Sequence, residues 1–334
     1  MDLILDSSNI EKKIDYFWEN IEKLRDFNHF LSPIYTKSFF EYQREYCKSN
    51  GTYIDEEYFM VLNNDEEILC AYIFFKTKEN NNKSFELNFG NELPGLLILN
   101  KFIDKKTLSN FKDKFFGLKN SANKIRFTIP QTTLLNKAYL DILNNINFNH
   151  QVKWSRFINL KETKDLMWRD LRKSYKSCIN KGLREQEILI MDEKKYDKSI
   201  FRNIKALHQK VSGRITRSKL TWDLQFEAIK EGKGFSVCSY DNKNLLAAIF
   251  FIKTKVNAYY SVGIYTEEAK EKNFGHSLIW QAIIYCKEKG LKLCEIDMNI
   301  NFMGLEQIDD KLKKISHFKS GFGGEIFNRH EFIF

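Results

Sequence analysis

The sequence predicts an α/β fold built twice in tandem, each copy a mixed sheet with flanking helices. Three observations carry that expectation. Residues 58–78, YFMVLNNDEEILCAYIFFKTK, read as strand, Asn/Asp turn, strand, and residues 235–255, FSVCSYDNKNLLAAIFFIKTK, read the same way. The elements after each hairpin then recur in one order. Finally, 334 residues at 43% hydrophobic and 15% aromatic content suffice for two ordinary domains or one large one.

In the first half, SFELNF (84–89) is strand-like, 105–121 has a helical pattern and KIRFTI (124–129) closes as a strand. The polar stretch 76–84, KTKENNNKS, reads as a hairpin loop. In the second half NAYYSVGIY (257–265) is a strand. A helix follows over about 275–289, with Leu278, Ile279, Ala282, Ile283 and Cys286 at helical spacing and Gly290 as its C-cap. KLCEIDM (292–298) then alternates as a strand. The expected division is an N-terminal lobe at 1–155 and a C-terminal lobe at 156–334. Between the hairpins, 165–182 predicts one amphipathic helix ending at Gly182, with six basic side chains and one acid over 169–184. That face suits phosphates or RNA, and equally a solvated helix surface.

No run of eighteen apolar residues occurs, so no membrane span is expected. The N-terminus, MDLILDSSNIEKK, lacks a basic region followed by an apolar stretch, which points to the cytoplasm. Six scattered cysteines without a CxxC pair read as reduced packing thiols, and the six histidines do not cluster with them, so no metal is expected. The net charge of +9 favours an anionic partner: a nucleotide or phosphorylated cofactor, RNA, or a membrane surface contacted peripherally. Codon bias in a chain rich in Lys, Asn, Ile and Phe produces the same balance.

Three segments carry candidate chemistry. In EKNFGHSLIWQAI (271–283) a Gly-containing turn enters a helix, where free N–H groups and the helix dipole favour an anion; Lys272, Gly275 and Ser277 are the candidates. LHQKVSGRITRSKLTWDLQ (207–225) gathers His208, Ser212, Arg214, Thr216, Arg217 and Trp222. Its arginines and hydroxyls suit an anionic substrate group, and His208 reads as a general base or as helix packing. HFKSGFGGEIFNRHEFIF (317–334) sets Lys319 before a glycine turn, where an ammonium can stabilise an oxyanion. Asp297, at the end of its strand, is the other candidate proton acceptor, and a turn cap is the competing reading. No Gly-x-Ser-x-Gly elbow or evident Cys–His pair is present, so acyl transfer here would be direct.

In order, WRDLRKSYKSCINKG, LHQKVSGRITRS, NFGHSLIWQAI, EIDMN and FKSGFGG resemble the FemAB-like acyltransferase group over roughly residues 155–334. The first lobe matches mainly in layout. The resemblance implies tandem GNAT-like lobes and transfer of an acyl group, or an aminoacyl group from tRNA, to an amine of a cell-wall or surface-glycan precursor. In the aminoacyl-tRNA branch of that group a lysine in an F-K-x-x-F-G motif is placed at the reaction centre, which maps onto Phe318, Lys319, Phe322 and Gly323. Lys272, Gly275 and Ser277 fit loosely the turn that holds the pyrophosphate of acyl-CoA. The expectation is therefore an N-acyltransferase taking acyl-CoA as donor and an amine of a cell-surface glycan or nucleotide-sugar precursor as acceptor. An aminoacyl-tRNA-dependent enzyme, and a non-catalytic GNAT-like binding protein, are the alternatives. The long helical arm of some tRNA-using members has no counterpart here.

Overall fold

The computed structural model describes residues 3–9, 14–78, 84–91, 93–130, 136–300 and 310–334, with 297–300 by backbone alone. Most of the polar stretch 76–84 therefore lies outside the described residues. The chain divides into two compact units. Unit 1 is Met1–Leu31, Tyr35–Lys153 and Asn328–Phe334, and unit 2 is Ser32–Ile34 and Trp154–Phe327.

Unit 1 begins with β1 (Leu3–Asp6), α1 (Ile14–Phe27) and α2 (Lys37–Ser49), followed by the hairpin β2 (Tyr53–Leu62) and β3 (Ile68–Lys78). The Asn63 side chain accepts the N–H groups of Asp65 and Glu67 at 2.9 Å each, which closes the expected turn. β3 is apolar along most of its length because both faces are covered. Phe40 of α2 meets Phe75 on one side. Phe111 and Phe115 of α3 (Lys105–Gly117) meet Tyr72 on the other. Beyond β3 the sheet continues through β4 (Phe85–Asn88), β5 (Gly95–Leu99) and β6 (Lys124–Ile129), then α4 (Lys137–Leu143). β4 and β5 are two pieces of one strand position. Both run antiparallel to β3 and parallel to β6.

The chain enters unit 2 within β7 (Asn149–Asn159). There follow α5 (Lys164–Asp170), α6 (Lys173–Glu185), β8 (Glu187–Met191), α7 (Lys198–Ser212) and α8 (Lys219–Lys230). The second hairpin is β9 (Gly234–Asp241) and β10 (Asn244–Lys253). Asn242 and Lys243 both have positive φ, the backbone a two-residue hairpin turn requires. Then come β11 (Asn257–Tyr265), α9 (Glu267–Glu271), α10 (Phe274–Glu288), β12 (Leu293–Ile300), α11 (Asp310–Ser320) and β13 (Glu325–Ile333). Alternate residues of the hairpin face opposite cores. Phe235, Val237, Ala247 and Ile249 pack with α6 and α10, whereas Cys238, Ala248 and Phe250 pack with α7 and α8.

Two expectations change. The single helix over 165–182 is two helices, because Leu171 is extended (φ −62°, ψ 142°) and the Arg172 N–H bonds the Gly321 carbonyl at 2.9 Å. The second piece also continues past Gly182 to Glu185. By contrast, Gly290 does end α10, with φ +77° and a Leu291 N–H bond to the Cys286 carbonyl. The cysteines are free, and all but Cys178 are buried.

The last residues of β13 return to unit 1 and pair antiparallel with β6. There His330 Nδ1 and His150 Nε2 lie 2.9 Å apart. Burial lowers both imidazole pKa values, and the neighbouring ring lowers that of His330 further. A depressed histidine pKa leaves stability intact above the unfolded value of about 6.5 and removes it as pH falls toward the folded value. Denaturation melts of the wild type and His330→Asn between pH 7.5 and 5 should show a smaller acid loss in the variant.

Candidate functional site

The site begins with a break in strand pairing. β11 pairs parallel to β12 only over Asn257–Tyr259 and Leu293–Glu295. Beyond that point β11 stays with β10 and β12 stays with β7, so the two parallel strands part. Ser261 is passed over in the β10 register, in which Phe250 faces Val262 and Phe251 faces Tyr260. This bulge resets the alternation of side chains. Tyr260 and Tyr265, an odd number of residues apart, would otherwise point to opposite faces. Instead both pack on the α10 face, with Val262 and Ile264 on the α7 face. Their hydroxyls are hydrogen-bonded at 3.1 Å. Gly263 lies beneath the pair, where an added Cβ would come within 1.9 Å of the Tyr260 hydroxyl. Burial pushes the Tyr260 phenol up to about 12 despite its bond to Tyr265, and pushes Tyr265 well above its ordinary value.

Lys319 arrives from the end of α11. Its ammonium stands 4.7 Å from the centre of the Tyr260 ring. The glycines around it are imposed by neighbours. A Cβ at Gly321 would lie 2.2 Å from the Tyr175 ring, and one at Gly324 would lie 2.5 Å from the Phe157 carbonyl oxygen. Gly323 and Gly324 also have φ of +77° and +80°. The Tyr175 hydroxyl donates to the Phe318 carbonyl at 2.7 Å. Arg172 donates to His317 Nε2 at 3.0 Å, to the His317 carbonyl at 3.3 Å and to Ser320 Oγ at 3.0 Å. The α5–α6 junction thus fixes the helix end that presents Lys319.

The start of α10 completes this cluster. Gly275 admits Tyr265 and Phe318, whose ring atoms would lie 3.0 and 3.5 Å from an added Cβ. His276 sits edge-on to Tyr175 and Phe318, with ring centres at 4.4 and 5.0 Å. Its Nδ1 is 2.9 Å from the Asn273 carbonyl, so Nδ1 carries the proton and Nε2 is left as an acceptor. Burial lowers its pKa, with Arg172 adding to the effect.

The other sequence candidates are placed differently. Lys272 is held by Asp241 at 2.9 Å and Glu268 at 2.6 Å, whose bonds raise its pKa. Ser277 is buried, donates to the Phe274 carbonyl at 2.9 Å and accepts from Gln186. The missing Cβ of Gly182 in α6 makes room for it. Ser212 donates to the Arg214 carbonyl at 2.7 Å, and Gly213 ends α7 in the left-handed region. Trp222 is a core residue; His208 lies edge-on to it at 5.2 Å and Arg217 stacks over it at 5.4 Å. Burial, then Arg217, lowers the His208 pKa. Arg214 is exposed and Thr216 half-exposed on the same connector. This group belongs to the α7 face, opposite the Tyr260–Lys319 cluster. Asp297 pairs with Arg156 in backbone register, but its side chain lies outside the described residues. Among the described residues, no three or more His, Cys, Asp or Glu gather as metal ligands, and no helix is long and apolar enough to cross a membrane.

No protein-family model matches the chain, and no curated protein does. Solved structures do. FemX is similar at 12% identity and a TM-score of 0.64, covering 90% of this chain and 91% of its own. This chain is similar to it in fold. A tandem GNAT protein from the clavulanic acid biosynthesis pathway is similar at 8% identity and TM-score 0.51, covering 89% and 93% of the two chains. L-PGS from Bacillus licheniformis is similar at 10% identity and TM-score 0.53, covering 83% of each.

Within this GNAT-like fold, sequence reasoning missed Tyr260, Tyr265, His276, Tyr175 and the clamping role of Arg172. One signal was present: Tyr260, Gly263 and Tyr265 in a strand, with the glycine unexplained by any turn. Gly263→Ala should retain the fold, because the clash is with the end of a ring that can swing. It should break the phenol pair, and ultraviolet titration should show Tyr265 titrating lower than in the wild type once the bond to Tyr260 that raises it is lost.

Proposed function

We propose that the chain is an acyltransferase that moves an acyl group from an activated ester onto an amine, with its reaction centre in unit 2. The observation that carries this reading is the Lys319 ammonium over Tyr260, beside the Tyr260–Tyr265 pair, where β11 parts from β12. The fold shared with FemX and the tandem GNAT protein supports the class.

The chemistry follows from the residues. A neutral amine attacks the ester carbonyl, and negative charge develops on its oxygen. A fixed ammonium stabilises that charge more than it stabilises the ground-state carbonyl. Lys319 has this role. The amine loses its extra proton to Nε2 of His276, which its depressed pKa keeps neutral at pH 7. As the carbon–sulfur or carbon–oxygen bond of the donor breaks, a phenol of the tyrosine pair donates a proton to the leaving atom. Both phenols hold their protons at neutral pH. Asp297 is the alternative proton acceptor. His208, packed on Trp222, stands on the other face of the sheet.

The donor proposed is acyl-CoA and the acceptor an amine of a cell-surface glycan or nucleotide-sugar precursor. One observation favours a second donor, aminoacyl-tRNA. Lys272 and Ser277, two of the three residues suited to a coenzyme phosphate, are already bonded within the fold. Turnover with acyl-CoA that withstands ribonuclease selects the first donor, and turnover with aminoacyl-tRNA that ribonuclease abolishes selects the second.

Lys319→Met retains the apolar stem and removes the charge. It should lower kcat on the order of a hundred- to thousandfold, with KM and Tm nearly unchanged, as for loss of about 2.7–4 kcal/mol of transition-state stabilisation. Wild-type turnover in that variant would move the catalytic centre elsewhere, with His208 and Asp297 next to be tested, whereas a wild-type chain that turns over neither donor would leave the non-catalytic, ligand-binding alternative. The pH profile supplies a separate check. The rate should fall as pH drops through the depressed pKa of His276, below about 6.5, and His276→Gln should abolish that acid limb.

A further inference from the structure

We propose that the connector between α7 and α8 is a docking surface for an anionic lipid bilayer. Three aliphatic side chains stand out within ten residues: Val211 is 43% exposed, Ile215 76% and Leu220 50%. Leu220 lies opposite the face of α8 that buries Trp222, Phe226 and Ile229, Ile215 belongs to neither helix, and Val211 stands one turn beyond Leu207 at the end of α7, where its helix runs past the core. The turn between them is shaped from within. Gly213 ends α7 in the left-handed region, Ser212 holds the Arg214 carbonyl, and Ser218 caps α8 by accepting the Thr221 N–H. A built turn therefore presents Ile215 to solvent.

The charge around these aliphatics has one sign. From Lys198 to Trp222 the chain carries seven Lys and Arg and no Asp or Glu. Lys210, Arg214 and Lys219 are exposed beside the aliphatics and form no ion pair among the described residues. A basic rim around exposed aliphatics matches an anionic headgroup layer over hydrocarbon. RNA matches less well. Single-stranded nucleic acid gains from exposed aromatic platforms, and Trp222, the only aromatic residue between 202 and 225, is 3% exposed. The surface lies on the α7 side of the sheet and does not depend on the reaction proposed for the opposite side.

The test is co-sedimentation of the full chain with vesicles of phosphatidylcholine alone or mixed with phosphatidylglycerol. Binding to the mixed vesicles should exceed binding to the neutral ones by about tenfold or more and should weaken with salt. Ile215→Asp, which adds a charge at a solvent-exposed position, should lower that binding roughly tenfold with Tm unchanged. The pair Lys210→Glu and Lys219→Glu should do the same through charge alone. Absence of binding to mixed vesicles, or wild-type binding by Ile215→Asp, overturns the proposal. So does binding of a tRNA that Ile215→Asp leaves unaltered while vesicles are ignored.

Discussion

One skipped residue organises the proposed reaction centre of unit 2. A regular strand cannot aim side chains five positions apart at the same face. The bulge at Ser261 removes that restriction, so Tyr260 and Tyr265 share a face and a hydrogen bond. It stands next to the place where β11 leaves β12. The opening, the phenol pair and the landing place of Lys319 thus arise from one local departure from the ladder. Bulges recur beside active sites because they re-aim side chains within an otherwise rigid sheet.

The lysine needs a second constraint. It ends a short helix, and helix ends fray unless their carbonyls are held. Here the Phe318 carbonyl accepts from Tyr175, and the His317 carbonyl accepts from both Arg172 and Ser320 Oγ. The price is steric: Gly321 and Gly324 leave no room for a side chain. The glycine run is therefore a packing device more than a hinge. It lets α6 and the carbonyl of Phe157 close against the turn, which fixes where the ammonium stands.

The two hairpins and the strands and helices that follow them were legible because hydrophobic periodicity and turn chemistry are local. So was the glycine turn after Lys319, through FKSGFGG. Other features depend on contacts between distant residues, which periodicity does not report. The break at Leu171 is set by Gly321, 150 residues away, and the helical pattern runs through it unbroken. Ser212 was a candidate ligand-binding group, and in the structure it shapes a turn together with Gly213 and the cap Ser218. Caps and anion sites draw on the same residue types, so composition alone does not separate them. The tyrosine pair was hidden because a bulge leaves no fixed signature in a single sequence.

The repeat also explains why one unit, and not both, carries the proposed centre. In unit 1 the strand position equivalent to β11 is split into β4 and β5, and each piece keeps its pairing with β6. Gly95 opens β5 directly against the Phe74 ring, at a distance no Cβ would tolerate. The two parallel strands therefore stay together where those of unit 2 separate. Aromatic rings fill the face that would border an opening: Phe74, Phe115 and Phe127 pack there edge-on or tilted. A duplicated scaffold needs both copies to bury its sheets, but a reaction centre needs a gap in the ladder, and a gap exposes unpaired backbone groups at a cost. That cost is met once, in unit 2, where Tyr260, Tyr265 and Lys319 border it.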